Sequence, residues 1–326
     1  MTMFRTFGFR FAAVAAAFLI ASSVASAQTS TPTTIRFITS GSDDLLPFWY
    51  AQSKDMFRAA GLNIVVTNSA SGALSTQGVL AGAADVGRAS LSSLIAAHAR
   101  GIPFVLVAPS AIHRHATSIN SGILVAANSP FRKPLDLQGK TISCTAIGDI
   151  GYLGLRAMID AQGGDSSTIK WVEIPISAAG AAVDAGRVDA SVSAEPFLSR
   201  DLAGGKVRVL VDMLDGYPGE ILEGAFFSTR DYAAANTDAL ARFATVLRQA
   251  AVYVNAHGNE LIPLLVSNTG MELEVATRMH RAENGVNFAP SQVQPVIDIA
   301  AKYKILPRAF DAHELFLTPA PAAKPK

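Results

Sequence analysis

The groups with which this chain could do chemistry gather in four short stretches: Ser40-Gly41-Ser42-Asp43-Asp44, Ser69-Ala70-Ser71-Gly72, Ser90, and Gly148-Asp149. Each comes just before a segment that reads as helix. A helix start presents unpaired backbone N–H groups with the positive end of the peptide dipole behind them, which suits an anionic group. Serine hydroxyls add donors at little steric cost. The chemistry this predicts is non-covalent capture of a small solute. Ser40, Ser71 and Ser90 fit equally well as N-caps, and Asp43 and Asp44 as first-turn charges that complement the dipole; one side chain can serve in both ways. Asp43, Asp44, Asp149 and Glu195, the last in a Glu-Pro turn at a strand end, can all approach the same space. Carboxylates repel an anion unless a cation or amine lies between. The set therefore favours a solute with an amine, a ring nitrogen or hydroxyls over a bare inorganic anion.

Aromatic residues flank these stretches. Trp49, after Phe48, falls in the first turn of the first helix, and Tyr152 has a similar position further along, where each could line a pocket; packing into the core is the other reading. His113-Arg114-His115 in an extended segment puts both imidazoles on one face, the geometry of a metal pair or a carboxylate clamp. No Cys, Asp or third His lies nearby in the sequence, so no metal is expected. Solvated polar hinge residues are the default reading of this stretch, and His113 and Arg114 lining the hinge against the ligand is the other. The single cysteine, Cys144, lies in an apolar strand, has no internal disulfide partner and reads as a buried, inert thiol. The chain has no Gly-x-Ser-x-Gly elbow, His-Glu-x-x-His pair or phosphate loop, and no cofactor is expected.

The elements that must hold these groups alternate. Strands are expected around Ile35 to Phe37, Asn63 to Thr67, Asp85 to Ala89 and Phe104 to Ala108, with helices between them, the first running from Leu46 to a glycine cap at Gly61. After a break at residues 109–122 the pattern resumes with Ile123 to Val125, Thr141 to Cys144, Ile169 to Ile174, Asp189 to Ser193 and Val207 to Val211. Gly82-Ala83-Ala84-Asp85-Val86 and Gly186-Arg187-Val188-Asp189-Ala190 stand about a hundred residues apart in matching places. That echo predicts a duplicated strand-helix unit, hence an α/β protein of two lobes with a cleft between them. Residues 33–115 and 225–318 are assigned to the first lobe, with the helical stretch from Thr237 wrapping it. Residues 116–224 form the second lobe, and the Pro/Ala-rich tail 319–326 is expected to be disordered.

Residues 1–27 carry Arg5 and Arg10, the apolar run Phe11 to Val24, and Ala25-Ser26-Ala27, the layout of a secretory signal with a small-residue cleavage site. A retained anchor is the competing reading, but the run falls short of the roughly 20 apolar residues a span needs. Removing the leader takes two Arg from 27 basic residues and none from 26 acidic ones, so the mature chain of 299 residues carries a formal charge of −1. With no basic stripe, nucleic-acid binding is excluded as an expectation.

Pro134-Leu135-Asp136-Leu137-Gln138-Gly139-Lys140-Thr141-Ile142, Asp184 to Ala190 followed by Glu195-Pro196-Phe197, and Gly82-Ala83-Ala84-Asp85-Val86-Gly87 resemble the periplasmic solute-binding proteins of ABC importers. They are most similar to the family for aliphatic sulfonates, taurine and nitrate, which also holds binders of thiamine-pyrimidine precursors and of some aromatic acids. The resemblance covers nearly the whole mature chain in order. It implies a type II periplasmic binding fold, each lobe a mostly parallel sheet flanked by helices, with two crossover strands as a hinge. It also implies closure around one small ligand, delivery to a permease in the inner membrane and no catalysis; apart from the resemblance, the leader points to the periplasm and nothing in the sequence suggests more than a monomer. By the same resemblance Gly148 and Asp149 occupy the place where the second lobe's first helix meets the ligand. Two alternatives stand beside this reading. One is an exported sensor or adaptor; the other is an enzyme similar to a thiamine-pyrimidine synthase of the same family, which uses a Cys-rich segment that this chain lacks.

Overall fold

The computed structural model of the chain describes residues 1–2, 31–69, 71–115 and 120–317. The expected leader lies outside them except for its first two residues, and the expected disordered tail, 319–326, lies outside them altogether. The chain divides into Met1–Thr31 and Pro32–Lys326, and the strands and helices below belong to the second unit.

Thirteen strands occur among the described residues: β1 (Thr33–Thr39), β2 (Leu62–Asn68), β3 (Val86–Ser90), β4 (Phe104–Pro109), β5 (Ala111–His113), β6 (Ser121–Ala126), β7 (Thr141–Cys144), β8 (Lys170–Glu173), β9 (Ala190–Ala194), β10 (Val207–Val211), β11 (Ile221–Leu222), β12 (Gly224–Thr229) and β13 (Glu283–Asn284). The first sheet has the order β2-β1-β3-β12-β4, and the second, read from its matching edge, β8-β7-β9-β6-β10. In each, four strands run one way and the fourth in order is reversed. The reversed strand follows a crossing from the other sheet: β6 enters the second sheet and β12 returns to the first. This is the two-lobed α/β duplication the sequence predicts. Both sheets are mixed rather than purely parallel, because the crossover strands enter them from the opposite end.

The Gly-x-x-Asp echo has a local cause. Gly82 and Gly186 take φ of +71° and +64°, a left-handed turn out of the preceding helix that glycine adopts freely. The aspartate then staples the incoming strand to its neighbour. Asp85 donates its N–H to the Arg36 carbonyl and accepts the Arg36 N–H on Oδ2, both at 2.8 Å. Asp189 makes the same pair with Thr141, again at 2.8 Å.

The first lobe's core stacks Phe37, Phe48, Phe57, Phe226 and Phe243, the last on the long helix Thr237–His257. In the second lobe the helix Ile150–Ala161 buries Leu153, Leu155, Met158 and Ile159. Its Gly154 is required by close approach, since a Cβ there would stand 2.1 Å from the Met213 carbonyl oxygen.

Three sequence expectations change. The single helix to Gly61 is two, Leu46–Ser53 and Met56–Ala59, broken where Asp55 takes φ of +52°. The break at 109–122 contains β5, the central strand of a small antiparallel sheet with β11 and β13. The last helix, Gln294–Lys302, touches both Leu91–Ala99 and Ile150–Ala161 rather than wrapping the first lobe alone.

Candidate functional site

A cavity of about 160 Å³ opens where the two sheets face each other. Ser42, Asp43 and Asp44 reach it from the turn after β1, Arg88 from β3, Asn120 and Ser121 from the start of β6, and Ala194 and Glu195 from the end of β9. Ala111 of β5, Glu223 between β11 and β12, and His280 with Ala282 complete the wall. The β1 and β9 residues lie at or beyond the carboxyl ends of their strands, the usual ligand position in open α/β sheets. A larger hollow of about 490 Å³ is lined only by residues 254–260 and 281–284 and takes nothing from the second sheet.

The cavity is acidic, and its arginine is paired through one nitrogen while Nε is a buried donor without a partner. Arg88 pairs with Asp44, their side chains 19% and 6% exposed. Ser42 Oγ donates to Asp44 Oδ1 at 2.5 Å and so does not cap the helix start. The guanidinium fits because residue 224 is glycine, where a Cβ would lie 2.9 Å from Arg88 Nη2. Asp43 accepts from Arg281 Nε at 2.8 Å and from the Ala282 N–H at 2.7 Å. Glu195 accepts the Ser199 N–H at 3.1 Å, the Ser199 hydroxyl at 2.7 Å and, across the cleft, the His280 N–H at 3.1 Å.

Glu223 differs from these. Burial foremost, then the nearby Asp44 and Asp212 carboxylates, push its carboxyl up to about 7, while the Asn120 amide and Arg88 pull it the other way. Burial also raises Asp212, which accepts the Leu214 N–H at 2.8 Å and the Ser121 hydroxyl at 3.0 Å. Glu223 Oε1 and Asn120 Oδ1 in the wall, and Asp212 Oδ2 outside it, are buried acceptors without a hydrogen-bond partner, and Arg88 Nε is a buried donor without one. Such atoms cost about 1–3 kcal/mol each when left unpaired, so their gathering at the cavity marks a place for a polar solute.

Of the residues expected at the ligand, Ser42, Asp43 and Glu195 come together in this wall. The others are placed elsewhere. Ser71 and Ser90 are N-caps, accepting from Leu74 N and Ser93 N at 3.3 and 3.4 Å, and Ser69 bonds the Ser75 hydroxyl at 2.8 Å. Ser40 accepts the Thr39 hydroxyl on its carbonyl, Gly41 lies beside Thr269, and Gly72 beside Ala89. Trp49, expected as a pocket aromatic, is buried in the first lobe's core. Tyr152 is likewise in the core, its ring 4.5 Å from Trp171 and its hydroxyl accepting from Arg156 at 2.8 Å. Gly148, with φ of +90°, packs on Ile305. Asp149 caps the helix Ile150–Ala161 by accepting the Tyr152 N–H at 2.7 Å and the Thr145 N–H at 3.0 Å, with burial raising its carboxyl. Arg114 pairs with Glu220 and Glu283, and His113 faces Asp215, all at the hinge.

Arg88, Asn120, Ser121, Glu223, His280 and Asp44 were not among the expected ligand residues, although Asp44 was weighed as an acid near the cleft. An arginine in mid-strand between Gly87 and Ala89, and an acid between Leu222 and Gly224, were the available signals.

Two duplicated lobes of this strand order, facing across a polar cavity, have the fold of the periplasmic binding proteins. The chain belongs to the NMT1/THI5-like family, whose model matches residues 42–261. Among solved structures it is similar to the periplasmic aliphatic sulphonate binding protein SsuA from Escherichia coli, with a TM-score of 0.74 and 22% identity over 87% of this chain and 97% of that one. It is also similar to the alkanesulfonate-binding SsuA from Xanthomonas axonopodis pv. citri bound to MOPS, at 0.70 and 22% over 88% and 99%. The periplasmic nitrate-binding protein NrtA from Synechocystis PCC 6803 follows at 0.65 and 14% over 86% and 84%. At these identities the likeness is one of fold. No curated protein matches the chain in sequence. Among the described residues no helix is long and apolar enough to cross a membrane.

Proposed function

We propose that this protein captures a small, amine-bearing organic solute between its lobes and delivers it to the permease of an ABC importer. The reading includes export to the periplasm with removal of residues 1–27, a first lobe of 33–115 and 225–318 with 116–224 as the second, and action as a monomeric binder without catalysis. One observation carries the choice of solute: Glu223 Oε1 and Asn120 Oδ1 are buried, unpartnered acceptors in the cavity wall, while the wall's one arginine, Arg88, has its charge paired with Asp44 and leaves its buried Nε donor without a partner. An ammonium or protonated ring nitrogen supplies the missing donors and charge. Nitrate or a plain alkanesulfonate, the kind of solute for which the similar structures are named, would find the Arg88 Nε donor but would also meet several carboxylates, with the Arg88 charge already paired to Asp44.

A thermal-shift screen over amines, aminopyrimidines, alkanesulfonates, aromatic carboxylates and nitrate tests this, because a ligand of the folded form raises Tm by mass action. Amine-bearing compounds are expected to raise Tm and plain anions to leave it unchanged. A shift with nitrate or simple sulfonates alone would overturn the choice of solute. Turnover of any compound would overturn the binding-only reading.

A further inference from the structure

A second cluster lies at the hinge and takes no part in the cavity wall. His113 and His115 come from the first crossing between lobes, and Asp215 from the segment between β10 and β11 that leads back. The sequence places no third ligand near the two histidines; the fold brings one from a hundred residues downstream. His113 Nε2 is 3.3 Å and His115 Nδ1 2.9 Å from the same atom, Asp215 Oδ1, and one ligand atom from each residue lies within 4.8 Å of the others. Ligand atoms about 2.0–2.1 Å from a tetrahedral zinc ion stand about 3.3 Å from one another, and both nitrogen–Oδ1 distances are close to that spacing.

The hydrogen bonding around the cluster calls for a positive charge. His115 Nε2 stands 2.8 Å from the Tyr217 carbonyl oxygen, an acceptor, and must donate to it. In the neutral ring Nδ1 then carries a lone pair, directed at a carboxylate oxygen that also only accepts. An imidazole with one N–H held by a backbone carbonyl and the other nitrogen free is how metal-ligating histidines are oriented. His113 is fully buried with Nδ1 unpartnered. Side-chain exposures of 46% for His115 and 34% for Asp215 leave a path from solvent and room for a water as fourth ligand.

We propose that His113, His115 and Asp215 bind a divalent transition-metal ion of the zinc class, which ties the two connections between the lobes. Two imidazoles and one carboxylate suit zinc and not magnesium or calcium, which prefer all-oxygen shells. The competing account of the same geometry is a protonated His115 paired with Asp215 and no metal.

The test uses the full mature chain, free of any affinity tag and stripped with chelator, titrated with zinc chloride by calorimetry and thermal shift. One zinc per chain and a Tm rise of several degrees are expected, with no rise from magnesium. Cobalt(II) should show the intense visible absorption of a tetrahedral site. His115→Gln and Asp215→Asn, at partly exposed positions, should each weaken zinc binding about tenfold or more, with circular dichroism showing that both still fold. Absence of binding, or zinc binding of equal affinity in both variants, would overturn the proposal. So would a metal-free Tm lowered by His115→Gln in a protein that ignores zinc, which is the outcome the ionic pair predicts.

Discussion

Glu223 couples stability to binding through one carboxyl. In the unfolded chain it titrates near 4.5 and in the folded protein near 7, so the native state holds its proton more tightly. Between those values the folded protein binds more protons than the unfolded chain, and stability falls as pH rises from about 4.5 to about 7 and stays lowered above it. The shift corresponds to about 3 kcal/mol. Glu223→Gln keeps the shape without the charge. Its Tm should match the wild type near pH 4.5 and exceed it by several degrees at pH 8, with the gap opening in between; a gap that ignores pH would remove the carboxyl as its cause. Binding should move the opposite way. An ammonium solute needs the ionised form, so wild-type affinity should climb through pH 7, and the glutamine variant should bind roughly ten- to a hundredfold more weakly at pH 8. Calorimetric titrations at pH 6 and pH 8 on both proteins check this.

At the scale of elements, the two Asp staples share a geometry and differ in surroundings. Asp85 is 7% exposed and also holds the Arg36 guanidinium, through Nε at 3.0 Å and Nη2 at 2.5 Å, whereas Asp189 is exposed. Asp189→Ala should therefore cost about 1 kcal/mol in urea unfolding and Asp85→Ala about 2–3 kcal/mol; equal costs would mean that the backbone bond alone matters. These turns were legible in sequence because their chemistry is local: a glycine that leaves a helix left-handed and an acid three residues on. The duplication, and with it the two lobes, followed. The cavity wall was legible only in part, since Ser42, Asp43 and Glu195 sit at strand ends whereas Arg88, Asn120 and Glu223 are brought together by pairings that no short window contains. β5 has three residues and partners more than a hundred positions away, too short and too remote for any periodicity to show. Trp49 and Tyr152 admit both a pocket and a core reading from their place in a first helical turn, because that position does not say which way a ring points; here both turn inward, as the core reading has it.

Over the whole molecule, the lobes are joined at several places, the helix Leu273–Arg278 against the helix Phe197–Ala203 among them. The sheet of β11, β5 and β13 forms the hinge. The helix Gln294–Lys302 touches helices of both lobes, and beyond it the Tyr303 hydroxyl donates to Asp160 at 2.7 Å while the Arg156 guanidinium lies 4.2 Å from the Tyr303 ring centre. At the cavity, Glu195 of the second lobe accepts the His280 N–H from the far side. For the cavity to open, the Glu195 contact and the packing of the helix Leu273–Arg278 on Phe197–Ala203 have to separate. Glu195→Ala removes the first of these and leaves the hinge intact. Since the Glu195 carboxylate is bonded on both oxygens, its loss should shift the solute-free protein toward the open form. Small-angle scattering would then show a larger radius of gyration than the wild type without solute and the same value with saturating solute. Affinity should fall roughly tenfold, because the solute must drive closure without that contact. An unchanged dissociation constant together with unchanged scattering would mean that the lobes are held at this separation by the hinge, the Gln294–Lys302 helix and the Leu273–Arg278 packing, with Glu195 a bystander.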